Sequence, residues 1–122
     1  MIFSCKPINV DYQRVKGQWV IDYIEYENKP INNKILTNNI NFKENNEIFI
    51  PITYLTSKKD NNQYWEFIKI NNRKYLRINT TNIVFNGNYK MNFVRSKNYK
   101  GLLIELKSNS TYIKAHKLLS QY

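Results

Sequence analysis

From Gly17 onward, apolar and polar residues alternate in short runs separated by Asn-rich breaks. A period of two is the mark of strands, whose successive side chains point to opposite faces. The first run, 17–27, sets Trp19, Ile21 and Tyr23 against Val20, Asp22, Ile24 and Tyr26, and Asp22 marks the second set as outward. Pro30 cannot continue a ladder, so the stretch Asn28–Asn33 is a turn. A second run, 34–43, places Leu36, Ile40 and Phe42 on one face. A third, 47–55, does the same with Ile48, Ile50, Ile52 and Tyr54, with Pro51 on the other parity. The fourth, 63–70, sets Trp65 and Phe67 opposite Glu66, and the fifth, 73–79, turns Leu76 and Ile78 inward. Residues 83–94 read as one long strand with a bulge at Gly87, keeping Tyr89, Met91 and Phe93 on one face. The last two strands are 101–107, with Leu102, Ile104 and Leu106 inward, and 111–118, with Ile113 and Ala115 inward.

These are eight strands, and every connection between them is short. Short connections make successive strands antiparallel neighbours. Eight of them remove their edges by closing on themselves. The pattern therefore predicts an all-β fold, an eight-stranded antiparallel up-and-down barrel. Residues 1–16 show no sustained period and read as an N-terminal tail or short packing segment, with the barrel domain spanning 17–122.

Composition supports this reading. A chain of 122 residues is one domain by length, and 15% of it is aromatic. Three Gly and three Pro are few for an all-β chain, so its turns fall to Asn, which tolerates positive φ. Pairs such as Asn45-Asn46, Asn61-Asn62 and Asn71-Asn72 stand where turns are expected. The net charge of +10 raises nucleic-acid binding as an alternative. Its distribution weakens that reading, because the lysines are spread along the whole chain. Asn, Ile, Lys and Tyr together make up half of the residues, as an AT-rich bacterial genome would produce.

The residues Gly17-Gln18-Trp19 at the start of the first strand resemble the Gly-x-Trp signature of the lipocalins. The segments "IVFNGNYKMNFV" and "LLIELKSNSTYIKAHKL" resemble the C-terminal half of the short lipocalin-like (calycin-type) proteins of bacterial envelopes. The resemblance covers about residues 16–118. It implies that Trp19 plugs the closed end of the barrel beneath a basic side chain from the last strand. No Arg follows Arg95, so Lys114 or Lys117 takes that place. The resemblance also implies non-catalytic binding of a small apolar or amphipathic ligand.

Near the N-terminus, Ile2-Phe3-Ser4-Cys5 resembles the end of a lipoprotein signal, with Cys5, the single cysteine, as the lipidated residue. That suggests a lipid-anchored protein of the bacterial envelope, a cytoplasmic protein with a chance match being the alternative. One Cys excludes an internal disulfide.

The expected ligand site is the inward set Tyr23, Ile50, Ile52, Trp65, Phe67, Tyr89, Met91, Phe93 and Ile104. Arg77 or Arg95 at the mouth would pair a carboxylate. The same residues are what a filled core requires. In that case the protein is an interaction module, with recognition in the loops 56–62 and 96–101. Catalysis is not expected. His116 is the only His and reads as an outward residue, and no Cys/His spacing suits a metal or any cofactor.

Overall fold

The computed structural model describes residues 10–53, 62–96 and 99–118. A short helix, α1 (Val10–Val15), precedes nine antiparallel strands: β1 (Gly17–Tyr26), β2 (Lys29–Pro30), β3 (Asn39–Phe42), β4 (Ile48–Phe49), β5 (Tyr64–Ile70), β6 (Arg73–Asn79), β7 (Gly87–Ser96), β8 (Tyr99–Lys107) and β9 (Thr111–Lys117). Their order in the sheet is β4-β3-β1-β9-β8-β7-β6-β5, with β2 a two-residue appendage of β1. Eight strands thus form a nearly closed up-and-down barrel. The first long strand closes on the last: Trp19 lies opposite Lys117 and Tyr26 opposite Thr111.

The turns are made largely by asparagine. Among the described residues six non-glycine residues have positive φ, and all but Glu27 are Asn. Glu27-Asn28 and Asn71-Asn72 each have both φ values positive, the geometry of a tight two-residue hairpin.

The seam of the barrel lies between β4 and β5. Among the described residues, only the Glu47–Tyr64 bridge joins them backbone to backbone. Side chains do the rest. Asn46 Nδ2 donates to the Trp65 carbonyl (2.8 Å), Trp65 Nε1 to the Lys43 carbonyl (3.0 Å) and Gln63 Nε2 to the Ile48 carbonyl (3.1 Å).

The pattern misplaces several residues. In β1 the register slips between Ile21 and Tyr23, so Asp22 is the extra residue of a β-bulge. The bulge reverses parity. Ile24, expected outward, is fully buried, and Tyr23, expected inward, moves to the outer face. The Asn32 side chain substitutes for a strand beside the bulge, donating to the Asp22 carbonyl and accepting from the Ile24 amide, both at 3.1 Å. The expected strands 34–43 and 47–55 shorten to β3 and β4, with 3-10 turns at Asn32–Lys34 and Glu44–Asn46. Where they end, alternation ends: Leu36 (75% exposed) and Ile52 (53% exposed), both expected inward, face solvent. Residues 83–86 form a turn rather than the start of a strand, and the loop expected at 96–101 is largely strand, since β7 runs to Ser96 and β8 begins at Tyr99.

Residues 10–15 are helical and part of the fold. A six-residue helix is not stable alone, and the last four carbonyls of any helix lack internal partners. Here all four are satisfied. The Lys16 amide donates to Tyr12 O (2.8 Å), and Trp19 Nε1 donates to Val15 O (2.8 Å). The Lys117 ammonium donates to Gln13 O (3.2 Å) and Arg14 O (2.8 Å). It also lies 5.8 Å from the Trp19 ring centroid. A Cβ on Gly17 would come within 3.1 Å of Lys117 Cε, and Gly17 has φ +125°. Glycine is therefore required twice, for the backbone angle and for the lysine stem that crosses it.

Replacing Lys117 by Met keeps the stem and removes the donor. Two helix-end carbonyls then lose their partner, and chemical denaturation is expected to show a loss of about 1–3 kcal/mol. Gly17→Ala is expected to destabilise by about as much, from backbone strain at positive φ. Unchanged unfolding midpoints for both variants would show that α1 is not held by this contact.

Candidate functional site

The inward set divides into a buried part and a half-buried part. Trp65 and Tyr89 are fully buried, Ile104 and Ile50 nearly so. Water-sized space does not adjoin Trp65 or Tyr89, nor Trp19, Ile24, Leu76 and Ile113, all at 0% exposure. The indole of Trp65 anchors an aromatic cluster, stacked on Tyr12 at 5.1 Å and edge-on to Phe42 (5.3 Å) and Phe67 (5.8 Å).

Phe67, Met91 and Phe93 are half-buried and pack against this core near α1. Cations cover two of them: Lys74 Nζ lies 5.4 Å from the Phe67 ring and the Arg14 guanidinium 5.3 Å from that of Phe93. Ion pairs tie α1 across the same end, Lys74 to Asp11 (2.9 Å) and Lys16 to Glu44 (3.1 Å). β6 meets β7 only where Leu76–Ile78 face Gly87–Tyr89, and Asp11 and Arg14 reach β6 and β7 where the two strands separate.

The opposite end is closed by the 80–86 segment, which the pattern placed partly in a strand. Val84 and Phe85 are fully buried there. Their backbone polarity is taken up locally. Asn82 Oδ1 accepts from the Val84 amide, Thr80 Oγ from the Asn82 amide, and Asn82 Nδ2 donates to Pro51 O. Thr111 Oγ donates to Val84 O, and the Tyr89 hydroxyl to Phe85 O at 2.8 Å. Both barrel ends therefore carry plugs, Trp19 with α1 at one and Val84-Phe85 at the other.

Three of the expected ligand residues lie elsewhere. Ile52 is on the surface, where its carbonyl accepts from the Leu36 amide at 3.0 Å. Arg77 is exposed on the outer face, 3.9 Å from Glu66. Tyr23 joins an outer-face cluster, donating to Glu25 at 2.9 Å and meeting Tyr112 edge-on. The Tyr112 hydroxyl donates to Glu105 (2.8 Å), which also accepts from Asn92. Partial burial and the Glu105 carboxylate push Tyr112 up to about 12, while the Asn92 and Tyr112 hydrogen bonds hold Glu105 below its ordinary value. His116 is not a lone residue. Its Nδ1 lies 2.8 Å from the Asp22 carboxylate, which the β1 bulge presents. Cys5 lies outside the described residues, as do residues 54–61 and 97–98 and the side chain of Arg95. Among the described residues no three His, Cys, Asp or Glu side chains converge as metal ligands.

Among the described residues two surface depressions lie outside the buried core. One, about 490 Å³, is lined by Asn33, Lys34, Ile35, Leu36 and Thr53. The other, about 430 Å³, is polar and includes Tyr75, Asn88 and Ser108. Comparison with protein-family models, with curated proteins and with solved structures finds no match to this chain.

Burial raises the Tyr89 hydroxyl above its ordinary value, whereas an unfolded tyrosine titrates near about 10. Above that pH the unfolded chain releases this proton and the folded chain holds it, so stability is full below about pH 10 and falls as pH rises further. Tyr89→Phe is expected to lose about 1 kcal/mol at neutral pH, with the bond to Phe85 O. It should also make the decline between pH 10 and 11 shallower. Urea unfolding across that range tests both, and an unaltered slope would show that the phenol is hydrated.

Proposed function

We propose that the protein is a non-catalytic binding module, a filled lipocalin-like barrel that recognises another protein through its surface. The observation that supports this reading is the interior. Trp65, Leu76, Tyr89 and Ile113 leave no water-sized space beside them, and the two plugs close the ends. A ligand would have to displace packed side chains, at a cost comparable to creating the space anew. The exposed pair Leu36 and Ile52, beside the 490 Å³ depression, supplies apolar surface of the kind that mates with proteins. The resemblance of Ile2–Cys5 to a lipoprotein signal supports an envelope location with Cys5 as the lipid anchor, as part of the same proposal.

A second reading keeps a small apolar or amphipathic ligand. The half-burial of Phe67, Met91 and Phe93 under Lys74 and Arg14 favours it, since movement of α1 would open that end to an anionic amphiphile.

Titration of the protein with 8-anilino-1-naphthalenesulfonate, followed by competition with fatty acids, separates the two. A filled barrel is expected to give no saturable binding. Salt-insensitive, one-to-one binding that is lost in the Trp65→Ala/Phe67→Ala double variant would overturn the filled-barrel reading in favour of the second. Binding of nucleic acid instead would collapse with added salt.

A further inference from the structure

Among the described residues the barrel leaves one length of strand edge unpaired. β5 terminates the sheet order, and beyond the Glu47–Tyr64 bridge no described strand lies along its outer edge. Which groups it presents follows from the hairpin. In a two-residue turn of this type, the flanking pair, here Ile70 and Arg73, exchanges both backbone hydrogen bonds. Antiparallel pairs then alternate, so Ile70, Ile68 and Glu66 bond to β6, while Phe67 and Lys69 turn their N–H and C=O outward. Trp65 has the same parity, and its carbonyl does reach outward, to Asn46. Phe67 and Lys69 have no such substitute among the described residues.

Charge identifies what this edge accepts. Lys69 lies directly opposite Lys74 in a pair where side chains come closest, and like charges so placed repel. Lys74 is answered by Asp11, but Lys69 has no ion pair among the described residues, nor does the exposed Arg73. A lysine on an edge strand also discourages pairing with another cationic strand. Two copies of a chain of net charge +10 would bring Lys69 and Arg73 toward like charge.

We infer that the outer edge of β5 at Phe67–Lys69 binds an extended acidic protein segment as an added antiparallel strand. This rests on the surface-recognition reading above and names its partner chemistry. A residue of the added strand opposite Lys69 shares its face, so a carboxylate there neutralises it. Residues opposite Ile68 and Ile70 share the outer face, so apolar side chains suit them. The motif that fits alternates acidic and apolar positions, and main-chain hydrogen bonds hold it.

The test is fluorescence anisotropy with a labelled peptide of alternating Glu and Val. Its partners are the Lys-Val counterpart and the Glu-Val peptide N-methylated at its glutamates, whose amides face Phe67 and Lys69 in this register. Glu-Val is expected to bind and Lys-Val not to. N-methylation should weaken binding about tenfold or more, as loss of two hydrogen bonds implies. Lys69→Pro removes an outward N–H that β6 does not use, so the strand should persist while binding is lost. Lys69→Gln, which keeps the N–H, should bind more weakly and with less salt dependence. The inference is overturned if the N-methylated peptide binds as well as its parent, or if the folded protein binds neither acidic peptide at low salt. It is also overturned if sedimentation reveals a dimer that Lys69→Pro abolishes, since a second copy would then own the edge. Probe exclusion from the interior is read separately, so a silent peptide titration leaves the filled-barrel reading standing.

Discussion

A six-residue helix has more orphaned backbone groups than internal hydrogen bonds, and α1 persists because the barrel supplies the missing donors. Trp19 and Lys117 provide three of the four bonds its C-terminal carbonyls need, the Lys16 amide the fourth. They come from the first strand and the last, which lie side by side at Trp19 and Lys117. The interaction that caps the helix thus also marks where the cylinder is joined. Burial depresses the Lys117 ammonium below its ordinary value, with Lys16 adding to the effect, so this cation is partly desolvated as well as hydrogen bonded. Once α1 is fixed, Tyr12 meets Trp65, Asp11 meets Lys74 and Arg14 covers Phe93. Three further strands are thereby tied to the same end.

Buried side chains occupy both ends of the barrel among the described residues. Strands of at most ten residues enclose little volume, and Trp19, Trp65, Tyr89 and Phe85 occupy much of it. The polar groups that enter are matched in place. The Tyr89 hydroxyl, the Trp indoles and the Asn82 amide all bond to backbone carbonyls. Among the described residues no buried side-chain nitrogen or oxygen lacks a partner. Satisfied polar groups and close packing make a rigid body, and variety is left to the outer face, the loops and the incomplete seam.

Much of the architecture is legible in the period-two pattern. The six long strands and the all-β up-and-down order follow from alternation, and the hairpin at Asn71-Asn72 from turn chemistry. The Gly-x-Trp resemblance points to Trp19 as a plug and to Lys114 or Lys117 above it; in the structure Trp19 is buried and Lys117 Nζ lies 5.8 Å from its ring. What the pattern misses has definite causes. A bulge at Asp22 shifts parity by one, exchanging Tyr23 and Ile24, and a one-residue slip moves every later side chain of a strand to the other face. Leu36 and Ile52 fall outside the strands to which their alternation assigned them. Val84 and Phe85 plug the far end in a segment that Asn82 ties to Pro51 and Val84 to Thr111, and no local pattern reveals contacts so distant in sequence. The same holds for Asp22 and His116, paired across 94 positions.

The pairing of β1 with β9 also has a temporal side. Residues 17–26 are made before every other described strand and 111–117 after them, so the longest-range pairing in the barrel is also the last its strands can form. Until Lys117 emerges, β1 has only β3 as a long partner and offers its other edge to whatever is near. Pairings of such separation order the whole intervening chain before they return any contact energy, which slows folding. The barrel can close only once β9 has been made, and until then the margin of β1 that β9 will cover stays without that partner.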